Sequence, residues 1–128
     1  MLVILMQYLV SMIPSLNDDR DFSANDFLKN QSLPDELDLR PSLQPIRNQG
    51  TQGSCAAQSA ACMKEFQEKN DNDLDEHFSP QFVYDNRINQ KSPGMTCRDV
   101  MKILYHVGCP LELSYPYSFF LDHLNMVQ

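Results

Sequence analysis

With 128 residues, 42% of them hydrophobic and 21% charged, the chain has the composition of one soluble globular domain or part of one, outside the disordered and fibrous classes. A net charge of -7 disfavours nucleic acid and anionic membrane as partners. Cys55, Cys62, Cys97 and Cys109 form no Cys-x-x-Cys pair, so zinc and thioredoxin-type motifs lack support and no metal or cofactor is expected. A disulfide framework stays open, though nothing demands one.

The chain opens on "MLVILMQYLVSMIP", apolar enough for the core of a signal peptide but without its basic start or small-residue cleavage site, and shorter than the ~20 residues that span a bilayer. A signal or anchor, a core strand and ragged upstream sequence all fit residues 1–14. Residues 15–33 read as an irregular polar connector. They contain the first of two acidic patches, 17–26 and 68–77, each expected as a solvated loop. Pro34 and Pro41 then fix extended or turned backbone around a short alternating piece, the entrance to a domain.

Three helices follow. A loop with Gly50 and Gly53 leads to Ser54 as N-cap and Cys55 at the first helical position, and the helix should run to about Lys69. Its early turns carry Ala56, Ala57, Ala60, Ala61 and Cys62, small side chains suited to a buried helix with close neighbours. Ser79 caps a second helix that begins at Pro80, where the missing donor costs nothing. Thr96 and Asp99 have capping-box spacing for a third. Its expected apolar stripe is Cys97, Val100, Met101, Leu104 and Val107, and Gly108 closes it. The last part, "CPLELSYPYSFF", reads as an extended segment packed back on the helices.

The junction at Cys55 has chemical meaning. A helix N-terminus carries unpaired backbone donors and about half a positive charge, which favours thiolate over thiol. A small buried cysteine would also fit that position alone. Gln49, six residues earlier across a glycine loop, is placed to return a side-chain amide toward an oxyanion formed at Cys55, beside the Cys55 backbone N–H.

"QPIRNQGTQGSCAAQSAA" resembles the active-site segment of papain-like cysteine peptidases. "LPDELDLRPSLQPIRNQG" is similar to the start of the mature enzyme in that family, and "FSPQFVYDNRI" and "GMTCRDVMKILYHVGCPLELSYPY" are similar to a branch common among bacterial and large-virus members. The resemblance covers residues 33–117. It implies an α+β papain-like fold of which this chain carries mainly the helical lobe, with the β-rich lobe missing or incomplete, residues 1–32 as an added segment and 118–128 as an unmatched tail. It also implies that Cys55 is the nucleophile, Gln49 the oxyanion-hole donor, and the partner a peptide or protein substrate.

Three departures stand out. Gln52 occupies a position where many secreted members have a disulfide cysteine, so an oxidising compartment is not required, and a cytoplasmic or virion setting is favoured over secretion. Ala56 and Gln58 stand where aromatic residues are common. The family's histidine and asparagine lie roughly 130–150 residues beyond the cysteine, whereas 73 residues follow Cys55 in the 128 given. His77, His106 and His123 are therefore out of register for the general base. The expectation is a nucleophile-bearing part with little turnover by itself. The rival is a non-catalytic binding module whose exposed half-cleft is covered by the second lobe or by self-association. A redox thiol protein is weaker, since no resolving cysteine is evident beside Cys55.

Overall fold

The computed structural model describes residues 12–28 and 32–117. In chain order it contains β1 (Met12–Ile13), α1 (Ala24–Leu28), a 3-10 turn at Arg40–Ser42, α2 (Cys55–Asn72), α3 (Pro80–Asp85), β2 (Met95–Thr96) and α4 (Cys97–His106). β1 and β2 pair in parallel, Met12 opposite Met95 and Ile13 opposite Thr96. The three expected helices are α2, α3 and α4. Residues 1–11 of the apolar opening stretch 1–14, the tail 118–128 and His123 lie outside the described residues. No helix among the described residues is long and apolar enough to cross a membrane.

α2 is the axis of the molecule. Ala57 and Ala61 are wholly buried and Ala56 and Ala60 nearly so, and the absence of bulk there lets α3 and α4 approach closely. The core cluster joins Ala56, Ala57 and Ala60 to Val83 and Tyr84 of α3, Met95 of β2, and Val100 and Ile103 of α4, with Leu104 and Cys109 at its edge. Val83 and Met95 have no exposed surface, and each such side chain is worth about 1.5–3 kcal/mol. α2 runs past Lys69 to Asn72, so the start of the second acidic patch is helix rather than loop. It ends because Asp73 adopts a left-handed φ of 55° and returns its N–H to the Glu68 carbonyl, a conformation that Asp tolerates better than most residues.

The caps show where local rules hold and where tertiary partners displace them. Ser79 Oγ accepts from the Phe82 N–H at 3.0 Å, as a cap should. Thr96 Oγ1 accepts from the Asp99 N–H at 3.0 Å, but the Asp99 carboxylate takes the Ile88 N–H at 2.9 Å. Only half of the capping box forms, because buried Asp99 has a nearer orphan donor to satisfy. Gly108, at φ 92°, closes α4 with its N–H on the Ile103 carbonyl, a backbone angle that a side chain would strain.

Two expectations need correction. The buried face of α4 is Val100 and Ile103 with Leu104 beside them, whereas Cys97, Met101 and Val107 are exposed. α2, α3 and β2 cover one side of this helix, and the expected stripe was rotated partly away from it. The connector is not wholly irregular either. α1 forms behind Ser23 with Asp26 in its first turn, a carboxylate favoured at a helix start, although none of its residues is buried. β1 falls at the end of residues 1–14, for which a core strand was one of the open readings, but both of its residues are exposed. Arg98 holds this N-terminal stretch through Asp21 at 2.6 and 2.9 Å and the Leu16 carbonyl at 3.2 Å, while its own backbone N–H reaches Ser15 Oγ.

The closing segment packs back on the helices as far as Tyr117 but is extended only in part, because residues 112–114 turn, with the Ser114 and Tyr115 N–H groups on the Leu111 carbonyl at 3.0 and 3.3 Å. Leu111 bridges Phe78 antiparallel, with Ser79 N–H on the Pro110 carbonyl at 2.9 Å and Glu112 N–H on the His77 carbonyl at 2.8 Å. Beneath it lies an ionic cluster. Arg47 donates to Glu65 and, at 2.9 Å, to Glu112, and it lies 3.1 Å from the Phe78 carbonyl. Glu65 accepts the Phe78 N–H at 2.9 Å from the middle of α2, where its side chain is only 2% exposed. Burial works against the Arg47 charge, and the Glu65 and Glu112 carboxylates more than offset it, leaving the guanidinium pKa raised.

Removing one side of a buried pair strands the other. Arg47→Met should therefore lower stability by about 3–5 kcal/mol, and the double variant Arg47→Met/Glu65→Leu should recover much of that loss. Urea denaturation reads both, and an unchanged midpoint for Arg47→Met would remove this cluster from the account of stability.

Candidate active site

Cys55 is the first residue of α2 and is half-buried. The loop before it is pinned at several points. Gly50, at φ 61°, donates its N–H to Asn48 Oδ1 at 2.9 Å. The Gln52 carbonyl accepts both the Ser54 N–H at 2.8 Å and the Gln49 side-chain amide at 3.1 Å. Gln52 Nε2 reaches Gln81 Oε1 of α3 at 3.3 Å.

Ser54 stands at the N-cap, but its hydroxyl makes no cap bond. It meets the Tyr117 hydroxyl at 2.8 Å, and that hydroxyl donates to the Gln49 carbonyl at 2.9 Å. A phenol has one proton to give, so Ser54 donates to Tyr117. One side chain from the closing segment thus ties both ends of the loop that carries Gln49 to the residue preceding Cys55. The cap was lost because the ψ of 18° at Ser54 departs from extended capping geometry and the phenol offers a better partner.

The Gln49 amide therefore sits on its own loop, on the carbonyl three residues before Cys55. Cys55 sits on the rim of an apolar hollow of about 170 Å³, which it shares with Met12, Met63, Val100, Met101 and Cys97, among others. The last of these matters to the redox reading, since α4 brings a second cysteine to the same hollow.

Neither described histidine faces this hollow. His77 Nδ1 lies 2.7 Å from Arg47 and 3.3 Å from Glu65, at a level of α2 ten residues beyond Cys55, about 15 Å along the axis at 1.5 Å per residue. His106 lies at the far end of α4 with its ring edge-on to exposed Tyr105, centroids 4.8 Å apart. Of the remaining thiols, Cys62 lines a larger open groove with Leu39, Ile46 and Phe66. Cys109 lies under the closing segment with its thiol 3.4 Å from the Ser79 carbonyl, and burial pushes that thiol up to about 11. Among the described residues, no three His, Cys, Asp or Glu side chains gather as a metal site.

Comparison with models of protein families gives no match, and comparison with curated proteins finds no relative.

Sequence reasoning missed Tyr117 and Cys97. The only signal for either was indirect: Tyr117 is part of a Pro-Tyr pair in the closing segment, and Cys97 repeats at α4 the helix-start position that Cys55 holds at α2.

Two outcomes follow. Tyr117→Phe should cost about 1–2 kcal/mol, the loss of one bridging hydroxyl with a hydroxyl partner left behind, and should speed amide exchange across residues 49–54 more than in α3. Alkylation at pH 8 followed by mass mapping should find Cys109 the slowest of the four cysteines, with about 0.1% thiolate at that pH for a group near 11. Its labelling should climb tenfold per pH unit from 8 to 10, and a rate already at plateau by pH 9 would contradict its burial.

Proposed function

We propose that the chain is the nucleophile-bearing helical lobe of a papain-like cysteine peptidase. Cys55 at the start of α2, on the rim of an apolar hollow and behind a loop held by Tyr117, is the observation that carries the reading. The ordered sequence blocks from 33 to 117 agree with it. In this mechanism the Cys55 thiolate attacks a peptide carbonyl, the tetrahedral oxyanion is met by backbone N–H groups at the start of α2 together with the Gln49 amide, the C–N bond breaks as the amine leaves with the proton taken from the thiol, and water hydrolyses the acyl-enzyme. Gln49 would have to release the Gln52 carbonyl to serve, an exchange of one hydrogen bond for a charge-assisted one.

The imidazole that accepts the thiol proton comes from outside the described residues in this reading, because His77 is engaged with Arg47 and Glu65 and His106 is remote. Without it, turnover falls by several powers of ten. That same distance favours a second reading, a peptidase-like module that binds extended peptides without cleaving them.

A peptidyl epoxide separates the two. Under the first reading it should modify Cys55 at neutral pH at least tenfold faster than half-buried Cys62, because the peptidyl part would seat the epoxide at the Cys55 hollow, and Cys55→Ala should abolish the reaction. Equal rates at the two thiols would leave the binding module as the better account.

A further inference from the structure

Five of the nine residues that line the hollow at Cys55 carry sulfur, Met12, Cys55, Met63, Cys97 and Met101, and they come from three places in the chain. Cys55 and Met63 are eight residues apart on α2, two turns along one face, and Cys97 and Met101 are four apart on α4, one turn along one face. Met12 arrives on β1, held by its pairing with β2. Each cysteine is the first residue of its helix, so two positive helix ends and two thiols converge on one small apolar space.

We infer that this hollow is a binding site for a soft monovalent metal ion, Cu(I), held by the Cys55 and Cys97 thiolates with a methionine thioether completing the set. Thiolate and thioether ligands select Cu(I) over the harder ions. The polar lining atoms are few, with the Ser59 hydroxyl already committed to the Cys55 carbonyl at 3.0 Å, so oxygen-seeking cations find no ligand set. Zinc finds none either, since no cluster of three His, Cys, Asp or Glu side chains occurs among the described residues.

The binding step balances without any change of oxidation state. Two S–H bonds break, three Cu–S bonds form, two to thiolates and one to the thioether, and two protons pass to solvent. The product carries one net negative charge, between two helix N-termini that favour an anion. Met12, Met63 and Met101 each have three rotatable bonds with which to bring a sulfur to the ion. The site does not depend on peptidase activity, since it uses Cys55 as a ligand whether or not that residue is a nucleophile.

The test titrates the fully reduced chain with Cu(I) under anaerobic conditions, with bicinchoninate as the competing chelator. One equivalent should bind and should protect Cys55 from iodoacetamide while Cys62 stays reactive. Cys97→Ser should weaken binding roughly a hundredfold and Met63→Leu/Met101→Leu roughly tenfold, the span seen when metal sites lose supporting groups. Cys62→Ser and Cys109→Ser should leave it unchanged. Cys97 and Met101 are exposed, so their replacement spares the core, and circular dichroism melts verify this for each variant. Undiminished affinity in Cys97→Ser, or a copper count that follows the number of thiols, would overturn the proposal.

Discussion

A carboxylate buried halfway along α2 sets the arrangement of everything packed around it. Glu65 sits where an apolar side chain would be cheaper, and burying its charge costs several kcal/mol unless the charge is fully partnered. Arg47 supplies the countercharge from the segment before the cysteine loop, and the Phe78 amide supplies a backbone donor. Satisfying Glu65 therefore dictates where the chain re-enters after the acidic loop. That entry positions Ser79 to cap α3, and the His77 and Ser79 backbone groups then receive residues 110 and 112 of the closing segment. A single ionic demand thus reaches from the segment before Cys55 to the closing segment.

The helices were legible because their starts are written in local chemistry. Ser79 with Pro80 and Thr96 three residues before Asp99 need no tertiary information, and the small residues after Cys55 announce a helix approached from several sides. The face of α4 was misjudged because an apolar stripe of Cys97, Met101 and Val107 is as periodic as the true one, and periodicity cannot tell which side a neighbour will cover. β1 and β2, at two residues each, are too short to show any period. The Arg47 cluster was invisible for another reason, since its members are separated by 18 to 65 residues and each looks like an ordinary surface charge.

The same division holds at the site. Cys55 was found by its position at a helix start, a local feature, and the structure keeps it there. The loop that brings Gln49 back is also local, yet the direction of the Gln49 amide is decided by the Gln52 carbonyl, and the role of Ser54 by a phenol more than sixty residues away. Cys97 shares a hollow with Cys55 because α2 and α4 pack against each other through alanine and valine, which no spacing along the chain could announce.

The Tyr117 bridge also has a bearing on the order of events during synthesis. Ribosomes deliver the chain from its N-terminus, and domains begin folding as they emerge. The loop around Gln49 and Ser54 is made early, but the hydroxyl that ties it lies 68 and 63 residues downstream. Until residue 117 has emerged, that loop lacks this tie and keeps more of its backbone freedom. A nascent chain thus passes through a stage in which α2 can exist while the loop that leads to Cys55 is held only by its nearer partners, Asn48 and Gln81 among them.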